Sequence, residues 1–202
     1  MQPLKPLSYA EFGHNFLQHV VTARRIGEEL RKVLESTIAG SIRKLPADLI
    51  VAAYVFTLDD VTVEPQLARL PKISFVLCVK GDVKLDVKIL NLNLKFTLDV
   101  AIHVPIDVET YAPVVLKLVP HQVSGDAITI DLNGENLTSE VLEHLQVMKP
   151  IVREQIVREV NARISDPNMI AMTTVDVLAL VDTMQFPIGG AAATPLQADT
   201  SG

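Results

Sequence analysis

A long central stretch of the chain alternates apolar and polar residues with a period of two, and this pattern constrains the fold more than any other feature. Apolar residues occupy odd positions from Ile73 to Ile89 and even positions from Leu90 to Val104, with charged or amide residues between many of them. This alternation is typical of strands that bury one face and expose the other, as in antiparallel sheets. The residues from Leu49 to Leu132 are therefore predicted to form long antiparallel strands.

The alternation changes phase at Ile89-Leu90, where no turn residue interrupts the chain. Because a shift of one residue moves every side chain to the other face, we predict a β-bulge or sharp bend within two residues of this point, inside one long strand. Lys80-Gly81-Asp82 fits either a hairpin turn or a second bend. Loops are expected at Pro65–Pro71 and at Asp107–Pro113.

Helices are predicted on both sides of this sheet. Capping-box spacing at its start and apolar residues at every third or fourth position predict one long helix over Ser8–Leu45. The same periodicity predicts a second helix over Thr138–Ile164, and Thr174–Met184 is expected to form a short third one. These elements suggest a single domain over residues 1–188, with a disordered tail of small residues at 189–202.

Composition and charge argue against several classes of function. A net charge of −6 provides no basic excess for a nucleic-acid partner, and a single cysteine, Cys78, excludes an internal disulfide or a Cys-rich zinc site. The histidines have no metal-ligand spacing, Ser124-Gly125 is not a G-x-S-x-G motif, and no phosphate-binding loop is present. We therefore expect no catalytic residue, no metal ion and no cofactor.

The N-terminal sequence favours a cytoplasmic protein. Residues 1–7 lack the apolar core and the cleavage site of a signal peptide. The longest nearly unbroken apolar stretch, Leu49–Leu58, is about half of what a membrane span needs.

The apolar residues of the helices and strands either close on each other as core or enclose an apolar ligand. Hydrophobic residues make up 49% of the chain and aromatic residues only 4%, so the interior is largely aliphatic. Flexible aliphatic and methionine side chains adapt well to apolar molecules. The candidate lining residues are Phe12, Phe16, Val20, Phe75, Leu77, Phe96, Leu98, Leu145 and Met148.

The order of these elements, a long helix, long antiparallel strands and a second long helix, resembles the tubular lipid-binding (TULIP) superfamily. This group includes the bactericidal/permeability-increasing proteins and the SMP domains of membrane-contact proteins. The resemblance covers most of the chain and has the length of one module. It implies an α+β fold in which a long, twisted antiparallel β-sheet is wrapped around long N- and C-terminal helices, with lipid held in the seam between them.

The favoured function is a non-enzymatic binding or carrier protein for a lipid or another apolar small molecule. Transient membrane contact and self-association are compatible with this function. One alternative is a cofactor-free enzyme of secondary metabolism that orients a hydrophobic substrate. The other is an assembly protein that binds a partner helix in an apolar groove.

Overall fold

The computed structural model describes residues 5–34, 37–44, 50–66, 72–89, 92–132 and 139–179. The helices and the long strands are largely segregated along the chain, as expected for an α+β protein. In chain order the elements are α1 (Tyr9–Val20), α2 (Ala23–Val33), β1 (Thr37–Lys44), β2 (Ile50–Pro65), β3 (Ser74–Ile89), β4 (Leu92–Tyr111), β5 (Val115–Pro120), a 3-10 turn (Gly125–Ala127), β6 (Ile128–Leu132), α3 (Ser139–Ile164), α4 (Pro167–Met172) and β7 (Thr174–Asp176).

The strands form one curled antiparallel sheet in the order β1-β2-β3-β4-β5-β7, with β6 paired to β4. The long strand β4 has β3 along one edge. Its other edge pairs first with β6, at residues 98–102, and then with β5, at residues 106–111. The α+β class and the antiparallel sheet that the alternation predicts are therefore confirmed.

The change of phase at Ile89-Leu90 marks a chain reversal between two strands. β3 ends at Ile89 and β4 begins at Leu92, and the two strands pair without a register shift. In this register odd residues of β3 oppose even residues of β4, so that Leu85 and Phe96 share one face of the sheet. The prediction of one long strand through this point was wrong, because a two-residue connection also exchanges odd for even positions. Leu90 itself lies outside the described residues.

A β-bulge does occur in β2, where the register with β3 shifts between Leu58 and Asp60. The residues of β2 that share a face with the apolar residues of β3 change there from even to odd positions. Opposite the bulge, β3 continues as one strand through Lys80-Gly81-Asp82 and makes no hairpin turn. A Cβ atom at Gly81 would clash with the carbonyl oxygen of Thr57, so glycine is required beside the bulge.

The N-terminal segment consists of two helices and a strand, and the prediction of one helix over Ser8–Leu45 was wrong. α1 ends at Val20, and the Thr22 side chain caps the first turn of α2. Residues 37–44 then form the edge strand β1 beside β2. Ile38 and Ile42 are four residues apart, and this spacing places two side chains on one face of a helix and equally on one face of a strand.

Arg31 attaches α2 to the bulge of β2. Its guanidinium donates hydrogen bonds to the Asp60 carboxylate at 3.1 Å and to the Val61 carbonyl oxygen at 2.7 Å. Ile26 and Leu30 of the same helix are buried in the hydrophobic core. α2 therefore covers the apolar face of the sheet, which carries Leu85 and Phe96 and is called the inner face below.

The C-terminal half of the fold contains α3 at the place of the second predicted helix. α3 covers the inner face with apolar residues one turn apart, of which Met148 and Val152 are fully buried. In the described segments every helix is too short or too polar to cross a bilayer.

Two other predictions about local structure differ in part from the structure, because strand pairing includes residues that were predicted to form a loop or a helix. β4 continues to Tyr111 through most of the expected loop at Asp107–Pro113. Of the helix predicted over Thr174–Met184, the first three residues form β7, which pairs with β5, residues 177–179 are helical, and residues 180–184 lie outside the described residues. Most of the expected loop at Pro65–Pro71 and the tail at 189–202 lie outside the described residues.

Candidate functional site

A cavity of about 160 Å³ lies between the inner face of the sheet and helices α2, α3 and α4. Alternate residues of the strands and every fourth residue of α3 point into it, as the periods of two and 3.6 residues require. Its apolar walls include Leu30 of α2, Leu77, Val79, Val83 and Leu85 of β3, Ile102, Val104 and Ile106 of β4, and Val152, Ile156, Val160 and Ile164 of α3.

The polar groups of the cavity are concentrated between β2 and α3. Tyr54 of β2 and Gln155, Glu159 and Arg163 of α3 all line it. The Tyr54 hydroxyl donates to Glu159 Oε1 at 3.0 Å, and Gln155 Nε2 donates to the same oxygen at 2.9 Å. Burial is the main cause that raises the pKa of the Tyr54 hydroxyl, which keeps it protonated as a donor.

Sequence reasoning missed these polar residues, although α3 carried a signal for three of them. Gln155, Glu159 and Arg163 recur at a four-residue spacing beside the apolar stripe of the helix. Tyr54 lies on the even-numbered apolar set of β2, whose phase changes at the bulge. Nothing in the sequence pairs Tyr54 with Glu159, because 105 residues separate them.

One of the nine candidate lining residues predicted from the sequence, Leu77, lines the cavity. Phe75, Phe96, Leu98 and Met148 are buried in the hydrophobic core and are not among its walls. The side chain of Leu145 lies outside the described residues.

Phe12, Phe16 and Val20 of α1 are not among the walls of the cavity, and α1 has no buried residue. The two phenylalanine side chains are 61% and 40% exposed, and their rings stack with centroids 6.3 Å apart. Phe16 instead borders a separate cleft of about 460 Å³ beside the connection between β4 and β5. The structure therefore places these three residues away from the cavity.

A buried serine, an aspartate and a histidine meet near the start of β3. Ser74 Oγ donates to Asp107 Oδ1 at 2.7 Å, and His121 Nε2 lies 2.9 Å from Asp107 Oδ2. Because the carboxylate stands between them, the imidazole is not placed to take a proton from the serine hydroxyl, as a nucleophile's base must be. Among the described residues, no three His, Cys, Asp or Glu side chains are grouped to hold a metal ion.

Comparisons with known proteins do not assign the chain to a family. No family model matches the sequence, and no curated protein matches it. A crystal structure of lipopolysaccharide binding protein aligns with 75% of this chain at 11% identity and a TM-score of 0.32. The alignment covers 38% of that protein, so this chain spans well under half of its length. A TM-score this low does not identify a shared fold, and the resemblance to the TULIP superfamily stays a prediction.

Proposed function

We propose that this protein binds a lipid or another apolar small molecule in the cavity between the inner face and helices α2, α3 and α4, and carries it unchanged. The observation that carries the proposal is the lining, which is mostly aliphatic on the sheet and on helices α2 and α3. An apolar cavity with a few convergent polar groups is the usual form of a site for a small organic ligand.

The volume limits the size of the ligand. Pockets that bury drug-sized molecules measure ~300–1,000 Å³, whereas this cavity measures about 160 Å³. A single aliphatic chain or a small ring system fits this volume, and a lipid with two full acyl chains would lie partly outside it.

A cavity-filling variant tests this proposal. Val79 of β3 is half-buried and lines the cavity, so Val79→Phe should fill it. We expect fluorescence titration with phenylnaphthylamine to show saturable binding to the wild type and at least about tenfold weaker binding to the variant. Native mass spectrometry of the protein as purified should show an apolar passenger in the wild type only.

The matched control places the same ring on the other face of the sheet. Val55 is 39% exposed and pairs with Lys84 on the outer face, so Val55→Phe should leave probe binding unchanged. Urea unfolding should show both variants folded. Absence of probe binding to the wild type, or equal binding to wild type and Val79→Phe, would contradict the proposal.

A further inference from the structure

Two polar side chains of the cavity, Tyr54 and Gln155, share one acceptor, the Glu159 carboxylate. Glu159 Oε1 receives hydrogen bonds from Tyr54 and Gln155 at 3.0 and 2.9 Å. An ionised carboxylate only accepts, and it offers about four lone-pair sites over its two oxygens. Two donors therefore leave this carboxylate able to accept a further hydrogen bond inside the cavity.

The side chains around Glu159 indicate which chemical group of a ligand donates the further hydrogen bond to its carboxylate. Tyr54 and Gln155 direct their donors at Glu159, and burial keeps the Tyr54 hydroxyl protonated by raising its pKa. Arg163 lines the same cavity and already has an interaction of its own. A ligand carboxylate would place a second negative charge beside Glu159, and such like-charge pairs are unfavourable.

We infer that the ligand of this cavity carries a hydrogen-bond donor at one end of an aliphatic body, and that Glu159 accepts this donor. This inference rests on the proposed function and adds the head group to it. The aliphatic body lies along Val79, Val104 and Ile106, and the donor lies at the boundary of β2 and α3. A neutral hydroxyl is the simplest head group with this chemistry, and a fatty-acid anion should bind more weakly because its charge would lie beside Glu159.

Displacement of phenylnaphthylamine by ligands of equal chain length tests the head group. Decanol provides a donor, decyl methyl ether provides only an acceptor, and decanoate provides an anion. We expect the wild type to bind decanol about tenfold more tightly than the ether or decanoate, because a hydrogen bond to a charged group is worth more than a neutral one.

The variant Glu159→Gln keeps the shape of the side chain and removes its charge. The preference for decanol over the ether should fall about fivefold, and binding of decanoate should improve, because charge-assisted hydrogen bonds are roughly twice as strong as neutral ones. Glu154→Gln is the matched control, since Glu154 is exposed on the same helix and does not line the cavity. It should leave all three affinities unchanged.

A purely structural role for Glu159, in which it only attaches α3 to Tyr54, makes a different prediction. Tyr54→Phe and Glu159→Gln would then weaken phenylnaphthylamine binding equally, and neither would change the order of the three ligands. That result overturns the inference and leaves the proposed function intact. If the wild type binds no phenylnaphthylamine and none of the three ligands, the proposed function fails, and the inference fails with it.

Discussion

The inner face of the sheet has two regions that are similar in sequence and different in packing. In the packed region, Val87, Leu98 and Met148 are all less than 2% exposed. In the open region, Leu77, Val79 and Val104 come from the same two strands and line the cavity. Both regions are aliphatic and have the same alternation, so the strands themselves do not determine which region is close-packed and which one borders the cavity.

The difference follows from the helix that covers the sheet. α3 presents Met148 and Val152 to the inner face, and both are fully buried. One turn further the same helix carries Gln155, then Glu159, beside the cavity. Polar side chains need hydrogen-bond partners and do not fill apolar space, so the cavity lies where Gln155 and Glu159 accompany the apolar stripe of α3.

The largest effect is expected in the packed region, from Leu98→Ala. Leu98 is 0% exposed, and truncating a fully buried leucine typically costs ~3–5 kcal/mol because a new cavity remains. Urea unfolding should show this loss, and phenylnaphthylamine binding to the folded variant should be unchanged. A loss below about 1 kcal/mol would mean that the packed region can collapse around the change.

Gly81→Ala should have the next largest effect, because Gly81 lies opposite the bulge, between Val79 and Val83 of the open region. Its new Cβ would clash with the Thr57 carbonyl oxygen, and backbone cannot move aside as a flexible side chain can. We expect a loss of about 3 kcal/mol in unfolding free energy. The control is Gly13→Ala in α1, where a Cβ meets nothing within 4 Å. That change should stabilise by roughly 0.5–1 kcal/mol, and a loss there as large as at Gly81 would rule out the steric cause.

Leu77→Ala tests the open region and should cost less than Leu98→Ala. Leu77 borders space that is already present, so the change loses mainly the transfer free energy of the removed groups, about 2 kcal/mol. The same variant should alter phenylnaphthylamine affinity, which Leu98→Ala should not. Equal losses of stability for the two variants, with equal probe affinity, would show that the two regions are packed alike.

The sequence predicts the sheet well because a period of two that continues over many residues fits a β-strand and does not fit an α-helix. Phe75 and Leu77 in β3 and Phe96 and Leu98 in β4 share the inner face, as their alternation indicates. The N-terminal helix could not be predicted to its end, since the four-residue spacing of Ile38 and Ile42 fits a helix and a strand equally.

The cavity could not be located from the sequence for a different reason. Alternation identifies the side chains that turn away from water, but whether a helix fills the space above them depends on contacts between distant segments. Leu77 and Leu98 are equivalent in the pattern, and only the position of α3 separates them. The bulge at Leu58 could have been predicted from the sequence. The apolar residues of β2 change there from even to odd positions, and this is the same kind of phase change as the one at Ile89-Leu90.

The smallest effect is expected on the outer face, from Asp82→Asn. Asp82 pairs directly with Asp99 across β3 and β4. A hydrogen bond with Asp99, followed by desolvation and the nearby Asp59 charge, raises the pKa of the Asp82 carboxyl above its ordinary value. The folded state therefore binds this proton more tightly than the unfolded chain does. The stability gained from it is complete below the ordinary pKa and is lost as the pH rises through the raised pKa.

At neutral pH the wild type is left with two like charges opposite each other, which destabilises a sheet slightly. Asp82→Asn should therefore raise Tm at pH 7 by about 1–2 °C. The gain should shrink toward pH 3, where the wild-type carboxyl is protonated as well. Glu64→Gln serves as the control, because Glu64 is exposed on β2 and pairs with Val76 instead of another acid, and it should not raise Tm at pH 7. If Asp82→Asn raises Tm equally at pH 7 and pH 3, the cause is the amide itself and not the removal of a charge. Charge repulsion would then not be a property that distinguishes the outer face from the inner face.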